Sequence, residues 1–229
     1  MKKIGKWYLP DNEMHFVEQL KEKGSKGYQV VNRITMLDAY DMLPNYKNKL
    51  AIDVGANIGF WTRDFCKKFD NVIAYEPVPI NLECLRSNCT ESNLTIIDKA
   101  LSHKEGKTTI WGLQHFESGS FTMDSSLIAD GVPLEISTVM LDNEANKWTE
   151  DQRKNCFIKI DVQGHEKAVL KGGTKFIKEY GPAICIEIRA NKETRGPWIK
   201  WFRKRNYILK TQYKKEHLFI PATQNNIRR

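Results

Sequence analysis

The feature that most constrains the fold of this chain is a glycine-bearing turn, Asp53-Val-Gly-Ala-Asn-Ile-Gly59, which closes the short apolar run Leu50–Val54. An apolar run of about four to eight residues that stops at a glycine is typical of a buried strand. Aromatic side chains then recur at helical intervals between Phe60 and Phe69, which predicts a helix over residues 58–69. A buried strand, a tight turn and a helix in this order form the first half of a βαβ unit.

Strands and helices continue to alternate along the chain. Further strands are predicted at residues 71–76, 94–97, 156–161 and 183–188. Short connections in such an alternation imply right-handed crossovers and a parallel sheet. The last short strands, 207–209 and 217–220, predict an antiparallel hairpin. We therefore expect an α/β fold: a Rossmann-like, doubly wound sheet of seven strands that is mostly parallel, with an antiparallel C-terminal hairpin.

One region breaks this alternation. Residues 108–111 and 134–139 have the pattern of strands, and they flank a Gly- and Ser-rich stretch, residues 117–131. Apolar residues at helical spacing up to Gly24, and again between Val30 and Leu43, predict two N-terminal helices. We expect residues 1–46 to form a helical cap or extension, and residues 47–229 to form the main domain.

Composition excludes some classes of protein. No apolar run in the 229 residues approaches the ~18 residues that cross a bilayer, so no membrane span is expected. No apolar stretch follows the first lysines, so no secretory signal is expected either. The five cysteines are odd in number, and no two have the two-residue gap of a zinc knuckle or a redox motif. These features predict a reducing compartment, and hence a cytoplasmic protein.

The net charge of +8 is concentrated at one end of the chain. Residues 189–229 contain 12 Lys or Arg and 2 Asp or Glu, whereas residues 1–188 contain 24 basic and 26 acidic side chains. Such an excess marks where an anionic partner such as nucleic acid would bind. However, Trp198, Trp201 and Phe202 follow helical spacing, which favours an amphipathic helix with its aromatic residues in the core and its cations in solvent.

The turn at residues 53–59 differs from the phosphate-binding turn of dinucleotide enzymes. Its glycines do not follow the G-x-G-x-x-G pattern, and Asp53 lies directly beneath it. A carboxylate there opposes a phosphorylated ligand and favours a cationic one. S-adenosylmethionine (SAM), which carries an ammonium and a sulfonium group, suits such a site better than NAD does. A tight turn that needs glycine for its geometry alone explains the pattern equally well.

Acidic residues follow the next two predicted strands. Glu76 lies 23 positions after Asp53, where a carboxylate accepts both ribose hydroxyls of a bound nucleoside, and Pro77 then ends the strand. Asp98 is placed to accept from an adenine amino group, and the small Ala100 leaves room for the ring. Each acid also has an explanation that involves no ligand: Glu76 as a solvated residue at a strand end, and Asp98 as a residue that favours a turn. The coincidence of the spacing with the glycine turn favours the nucleoside site.

Four polar residues cluster near the end of another predicted strand: Lys159, Asp161, His165 and Glu166. Lys159 and Asp161 are two positions apart, so they face the same side of that strand. Charged side chains in an otherwise apolar central strand are costly unless they are paired or face a cleft. These residues are therefore candidates for catalysis, with a structural ion pair or a helix cap as the alternative for each.

Seven segments of the chain combine into a recognisable pattern. They are Asp53–Gly59, Glu76-Pro77, Ala100-Leu-Ser102, Leu141-Asp142, Lys159-Ile-Asp-Val-Gln-Gly-His-Glu166, Leu170-Lys-Gly-Gly173 and Pro182-Ala-Ile-Cys-Ile-Glu187. Together they resemble the FkbM-type family of SAM-dependent methyltransferases, over about Ala51 to Ile188. The glycine turn is shared by very many methyltransferases. The block at residues 159–166, with the later glycine pair and acidic strand end, is much more specific to this family.

The resemblance implies a class I methyltransferase fold and transfer of a methyl group to a hydroxyl, commonly on a sugar or a secondary metabolite. The acceptor is thus expected to be a small molecule or a glycan. The cofactor contacts implied by these motifs are Asp53, Gly55, Ala56, Asn57, Gly59, Glu76, Pro77, Asp98 and Ala100. Gln163 stands where the family often has Glu, which weakens a role for that position.

On this interpretation Asp161 or His165 is the general base that takes the proton of the acceptor hydroxyl. Lys159 then orients Asp161 or stabilises the developing alkoxide. Glu187 could join Asp161 around a divalent cation, but no clear set of ligands is visible, so no metal is predicted.

Two alternatives stay open. An RNA 2′-O-methyltransferase would use Lys49, Asp161 and Glu187 as part of a Lys-Asp-Lys-Glu cluster, with the basic C-terminal segment on the nucleic acid. A non-catalytic protein of the same fold would only bind a partner, although the complete 53–59 turn and Glu76 argue against this.

Overall fold

A computed structural model of the protein describes residues 1–23, 29–44, 46–112, 121–122, 132–188 and 192–222. Its strands are β1 (Lys2–Ile4), β2 (Trp7–Leu9), β3 (Leu50–Val54), β4 (Asn71–Tyr75), β5 (Leu94–Ile97), β6 (Ala100–Ser102), β7 (Gly106–Gly112), β8 (Phe121–Thr122), β9 (Val132–Met140), β10 (Cys156–Ile160), β11 (Ala183–Glu187), β12 (Tyr207–Tyr213) and β13 (Glu216–Pro221). Its helices are α1 (His15–Lys23), α2 (Val30–Asp41), α3 (Phe60–Cys66), α4 (Pro79–Asn88), α5 (Leu141–Ala145), α6 (Glu150–Lys154), α7 (Glu166–Gly172), α8 (Thr174–Tyr180) and α9 (Lys192–Arg203).

The main sheet has seven strands in the order β12-β13-β11-β10-β3-β4-β5. Strands β11, β10, β3, β4 and β5 pair in parallel, whereas β13 runs antiparallel to both β11 and β12. This confirms the predicted doubly wound α/β fold with an antiparallel C-terminal hairpin. The carboxyl ends of β3, β4 and β10 meet at one edge, where open sheets of this kind bind ligands.

A second sheet of four strands, in the order β6-β9-β7-β8, stands outside the main one. Strands β7 and β9 contain the predicted strands 108–111 and 134–139. Strand β6 was not predicted, because three residues are too few to show a period. The Gly- and Ser-rich stretch at residues 117–131 lies outside the described residues, except for the two residues of β8.

Helices cover both faces of the main sheet. Neighbouring strand residues point to opposite faces, so Ile158 packs with the apolar side chains of α7, α8 and α9, while Phe157 packs with those of α2 and α3. Every residue of β3, β10 and β11 is buried. Burial on both faces explains why these strands are nearly continuous apolar runs rather than alternating ones.

The N-terminal segment is more than a pair of helices. It begins with a hairpin, β1 and β2, which was not predicted. Helix α2 packs Met36 and Tyr40 into the same core as Phe157, so residue 46 marks no break in the hydrophobic core. At the start of α2, Asn32 Nδ2 donates a 3.0 Å hydrogen bond to Glu216 Oε2, near the carboxyl edge of the sheet.

Helix α9 is amphipathic, as its spacing predicted. Phe202 is fully buried and stacks on Phe219 with 3.8 Å between ring centroids. Trp198 and Trp201 are partly buried against the same core, and Arg203 is exposed. Among the described residues, no helix is both long and apolar enough to cross a bilayer. All five cysteines are buried and free.

Candidate active site

The glycine turn after β3 is shaped by its neighbours. Gly55 has a φ of 76°, and a Cβ placed on it would lie 2.1 Å from the backbone oxygen of Asp161. Gly59 has a φ of 97°, and a Cβ there would lie 2.7 Å from Cys89 Sγ. Glycine is therefore required at both positions by close packing and by left-handed backbone geometry. Part of the motif is thus explained by the turn itself, whatever the cleft binds.

Beneath this turn lies a buried ion pair. Lys159 Nζ is 2.9 Å from Asp53 Oδ1 and donates a 2.7 Å hydrogen bond to the carbonyl oxygen of Gly55. Thr62 Oγ1 donates to the other carboxylate oxygen of Asp53 at 2.7 Å. Burial by itself would lower the pKa of Lys159, but the carboxylates of Asp53 and Asp161 outweigh it and raise that pKa. Lys159 is therefore a charged side chain that holds the floor of the turn.

This arrangement corrects two expectations. The carboxylate of Asp53 is fully buried and balanced by Lys159, so it does not present negative charge to a ligand. Lys159 contacts Asp53 and the backbone of the turn, rather than orienting Asp161 through a direct bond. The two charges that seemed to belong to separate motifs form one pair because β3 and β10 are neighbours, with Asp53 and Lys159 in register.

Glu76 ties the glycine turn to the end of β4. Its carboxylate accepts hydrogen bonds from the backbone nitrogen of Asn57 at 2.8 Å and from that of Val78 at 3.0 Å. Asn81 Nδ2 donates a longer bond of 3.4 Å. Burial raises the pKa of Glu76, although these hydrogen bonds act in the opposite direction. The carboxylate is thus preorganised at the rim of the cleft, with donors that would stabilise its ionised form.

A cleft opens above these residues between the main sheet and the second sheet. Its lining consists of Val54, Gly55, Asn57, Tyr75, Glu76, Pro77, Val78, Asn81, Ala100, Leu101, Ile110, Ile136, Asp161, Val162, Gln163 and His165. Seven of these positions were predicted from the sequence: Gly55, Asn57, Glu76, Pro77, Ala100, Asp161 and His165. Six of these seven follow β3, β4 or β10, so the loops at the carboxyl edge of the main sheet supply most of the polar groups of the cleft.

Other predicted contacts lie elsewhere. Asp53 and Lys159 are beneath the floor of the cleft, and Asp98 is exposed. Ala56 and Gly59 lie within the turn but not among the lining residues described for the cleft. Sequence analysis missed the apolar wall made by Val78, Ile110 and Ile136, which belong to one small core cluster. The strand patterns of β7 and β9 were visible, but not that these strands fold over the cleft.

Asp161 lines the cleft immediately after β10. Its Oδ1 accepts a 2.7 Å hydrogen bond from Gln163 Nε2, which also lies 3.5 Å from Glu187 Oε2. One amide thus bridges two carboxylates at adjacent strand ends. Across the described residues, no group of three or more His, Cys, Asp and Glu side chains is arranged to hold a metal ion.

His165 lies on the side of the cleft nearest the second sheet. Its Nε2 is 2.9 Å from Ser102 Oγ. Burial, assisted by the nearby His103, lowers the pKa of His165 to about 4. The imidazole is therefore neutral at physiological pH and has one lone pair available to accept a proton.

Glu166 takes the structural role that sequence analysis left open for it. Its Oε1 accepts hydrogen bonds from the backbone nitrogens of Val162 at 3.3 Å and Gly164 at 3.0 Å. Burial raises the pKa of Glu166, while these bonds work against that shift. The side chain closes the loop between β10 and α7, and so it sets the position of His165 next to it.

Lys49 does not join the acidic residues of the cleft. Its ammonium lies 2.7 Å from Asp70 Oδ2, just before β3 begins, whereas Asp161 and Glu187 stand where β10 and β11 end. The five residues of β3 separate the two edges of the sheet by roughly 17 Å at ~3.3 Å per residue. The Lys-Asp-Lys-Glu cluster proposed with Lys49 is therefore wrong.

Comparison with known proteins identifies the domain. The model of the Methyltransferase FkbM domain matches residues 53–209, which is more than half of the chain. This chain belongs to the FkbM methyltransferase family. The match begins at Asp53 within β3 and ends within β12, so it includes β4, β5, β10 and β11 of the main sheet and all residues described for the cleft. The resemblance drawn from the sequence is thereby confirmed.

Two individual proteins are similar to this FkbM domain, one in sequence and one in fold. The hexuronic acid methyltransferase AglP of Haloferax volcanii is 30% identical over 145 residues, which are 60% of this chain and 55% of AglP. A methyltransferase FkbM from Methylobacillus flagellatus has a similar fold, with a TM-score of 0.54 at 18% identity over 82% of this chain and 47% of that one. This FkbM chain thus spans about half the length of each relative.

The fold is also found outside the family. A putative RNA methyltransferase from Pyrococcus horikoshii matches the FkbM chain with a TM-score of 0.50 at 11% identity, over 86% of this chain and 88% of that one. At that identity the likeness concerns the fold alone.

Proposed function

We propose that this FkbM domain transfers a methyl group from SAM to a hydroxyl of a sugar or glycan. The observation that carries the proposal is a single cleft that is lined both by the buried carboxylate of Glu76 and by the polar side chains of Asp161 and His165. The relationship to a protein named as a hexuronic acid methyltransferase supports a sugar as the acceptor.

The lining of the cleft fits SAM. Glu76 presents a carboxylate that suits the two ribose hydroxyls, and Val78, Ile110 and Ile136 form an apolar wall suited to the adenine ring. The carboxylate of Asp53 is buried and paired with Lys159, so it does not contribute negative charge to the cleft. Bound SAM supplies an electrophilic methyl group on a sulfonium. The backbone of Gly55 and Asn57 completes the site at the turn.

The chain's own contribution to the reaction is to orient the acceptor and to accept its proton. We assign the role of proton acceptor to His165, because its lowered pKa keeps the imidazole neutral and the side chain lines the cleft. A weak base is sufficient here, since the hydroxyl proton becomes strongly acidic as the new carbon–oxygen bond forms. Asp161, held by Gln163, accepts a hydrogen bond that aligns the acceptor.

The first test is isothermal titration of the protein with SAM. Measurable heat with one site per chain supports the proposal, and no heat would remove it in favour of a non-catalytic protein. The second test incubates the protein and labelled SAM with separate pools of uronic-acid glycans, neutral glycans and RNA. Mass spectrometry should detect the mass gain of one methyl group in a glycan pool.

Variants then separate binding from transfer. Asp161→Ala should abolish methyl transfer while the affinity for SAM stays within a few-fold, and full activity in this variant would contradict the role of Asp161.

We also propose the cytoplasm as the working compartment, supported by the odd number of cysteines, all of them buried and free.

A further inference from the structure

We propose that Ser102 is a positioning residue that holds His165 in the tautomer able to accept a proton from the acceptor. This inference rests on the proposed function, because it takes His165 as the base. Ser102 belongs to the second sheet. It is part of a quoted motif segment, but no role was predicted for it, and it is not among the residues that line the cleft.

The contact between the two residues is direct and shielded. Ser102 Oγ lies 2.9 Å from His165 Nε2, and the serine is 5% exposed. The same hydroxyl also lies 3.5 Å from His103 Nδ1. The hydroxyl therefore contacts nitrogens of two imidazole rings and is shielded from bulk water. A hydrogen bond in such a setting is stronger than one at the surface.

The fold brings these residues together through a second close approach. Ser102 ends β6, which is paired with β9 so that Ser102 lies opposite Met140. Helix α7 follows His165 and ends at Gly172, where an added Cβ would lie 1.9 Å from the carbonyl oxygen of Ser102. Only glycine permits this packing. The backbone of Ser102 is thus fixed against the helix whose first turn positions His165.

The orientation of the imidazole decides which nitrogen can act as a base. Neutral histidine carries one N–H, on either Nδ1 or Nε2. If Nε2 carries the hydrogen and donates it to Ser102 Oγ, the lone pair is on Nδ1. That nitrogen has no hydrogen-bond partner among the described residues. In the other tautomer the serine occupies the only lone pair, and no base remains for the acceptor.

Titratable groups around the ring are consistent with a neutral imidazole. His103 faces it across Ser102, and burial with His103 lowers the pKa of His165 to about 4. Glu166 follows it on α7, and its carboxylate is turned to the backbone of Val162 and Gly164. Asp161 and Glu76 are the carboxylates that share the cleft with it.

The tautomer can be measured without any ligand. Long-range ¹⁵N–¹H spectra of the imidazole nitrogens, assigned by the signals lost in His165→Asn, should show His165 with its hydrogen on Nε2 in the wild-type protein. In Ser102→Ala a fraction should shift to the Nδ1–H form, because a buried Nε2–H would lack an acceptor. A wild-type His165 with its hydrogen on Nδ1 would overturn the proposal, even if methyl transfer itself is never observed.

Kinetics provide the second measurement. Ser102→Ala should lower kcat by about 10- to 100-fold, part of the effect of a general base, with the KM of the acceptor and the Kd of SAM within about two-fold. Ser102→Thr, which keeps the hydroxyl, should recover most of kcat. The matched control is Thr138→Val, which removes a buried hydroxyl bonded to the Lys104 carbonyl in the same sheet. An unchanged kcat in Ser102→Ala, or an equal loss in Thr138→Val, would refute the role.

Discussion

Lys159 and Asp53 form an ion pair of 2.9 Å between neighbouring parallel strands, with 5% and 0% of their side chains exposed. The two residues are directly opposite each other in the register of β10 and β3. The lysine also reaches the carbonyl oxygen of Gly55. One buried cation therefore connects the central strands to the turn that forms the floor of the cleft.

Removing one member of this pair should be far more damaging than removing both. Lys159→Met leaves the Asp53 carboxylate buried without its cation, which should cost about 3–5 kcal/mol of unfolding free energy. The double variant Lys159→Met with Asp53→Asn should recover a substantial part of that loss, because no net charge is then buried. Urea unfolding followed by circular dichroism measures both.

The exposed pair Lys107–Glu135 is the control for that experiment, since it has the same chemistry with both side chains in solvent. Lys107→Met should leave the unfolding midpoint nearly unchanged. If Lys159→Met is no more harmful than Lys107→Met, the buried pair does not hold the turn as described.

Gly172 should tolerate no side chain. Gly172→Ala places a methyl group against the carbonyl oxygen of Ser102, where 1.9 Å is available, and should destabilise the protein by about 1–3 kcal/mol. Gly196→Ala, at an exposed position of α9 just before Pro197, meets nothing within 4 Å apart from its chain neighbours, and it should change the stability by less than about 1 kcal/mol. Thermal unfolding of the two variants tests the contrast, and an equal loss of stability in both would contradict it.

Glu76 should control the affinity for SAM. In Glu76→Gln one carboxylate oxygen becomes an amide donor, which repels the backbone N–H of Asn57 or Val78 and weakens the site for a ribose diol. We expect the Kd of SAM to rise by about 10-fold or more, as for the loss of a hydrogen bond to a charged group. Isothermal titration gives the value, and Glu135→Gln at an exposed position serves as the control. Equal affinities for wild type and Glu76→Gln would exclude this carboxylate from the site.

His165 should make the protein less stable in acid. Its pKa is about 4 in the folded protein and has an ordinary value of 6.5, so the unfolded chain binds the proton more readily between these values. Its stabilising contribution is complete above about pH 6.5 and is lost as the pH falls towards 4. Urea unfolding at several pH values should therefore show a steeper loss for wild type than for His165→Asn.

The comparison with the variant is necessary because other groups oppose this trend. Burial raises the pKa of Glu76 and of Glu166, so these carboxylates favour the folded protein as the pH falls. If the wild-type and His165→Asn curves are parallel from pH 7 to pH 4.5, the low pKa of His165 is wrong.

Much of the main sheet could be predicted because its strands are short apolar runs between helical patterns. Strand β3 and the glycine turn were evident in this way, as were the strand ends at Glu76 and Asp161. Strands β1, β2 and β6 were missed, since three residues show no period. Position in the chain also suggested an N-terminal cap, whereas α2 shares the core of the sheet through Tyr40.

The candidate site was predicted less completely than the fold. Asp53 was assigned to the ligand because a lone carboxylate beneath a glycine turn looks free in a sequence. The partner that neutralises it is Lys159, 106 positions later. Val78, Ile110 and Ile136 give no sign in the sequence that they face the same cleft. Ser102 was quoted only as part of a motif, and its contact with His165 joins residues 63 positions apart.

The sequence by itself determined the order of the strands of the main sheet, the place of the glycine turn and the identity of the acids at the strand ends, because these depend on local periodicity and on residues adjacent in the chain. Only the tertiary structure decided which charges cancel each other, which apolar side chains enclose the cleft and which hydroxyl meets His165. Those outcomes depend on strand register and on contact between two sheets, and a side chain's charge and accessibility follow from neighbours that the chain brings together only when it folds.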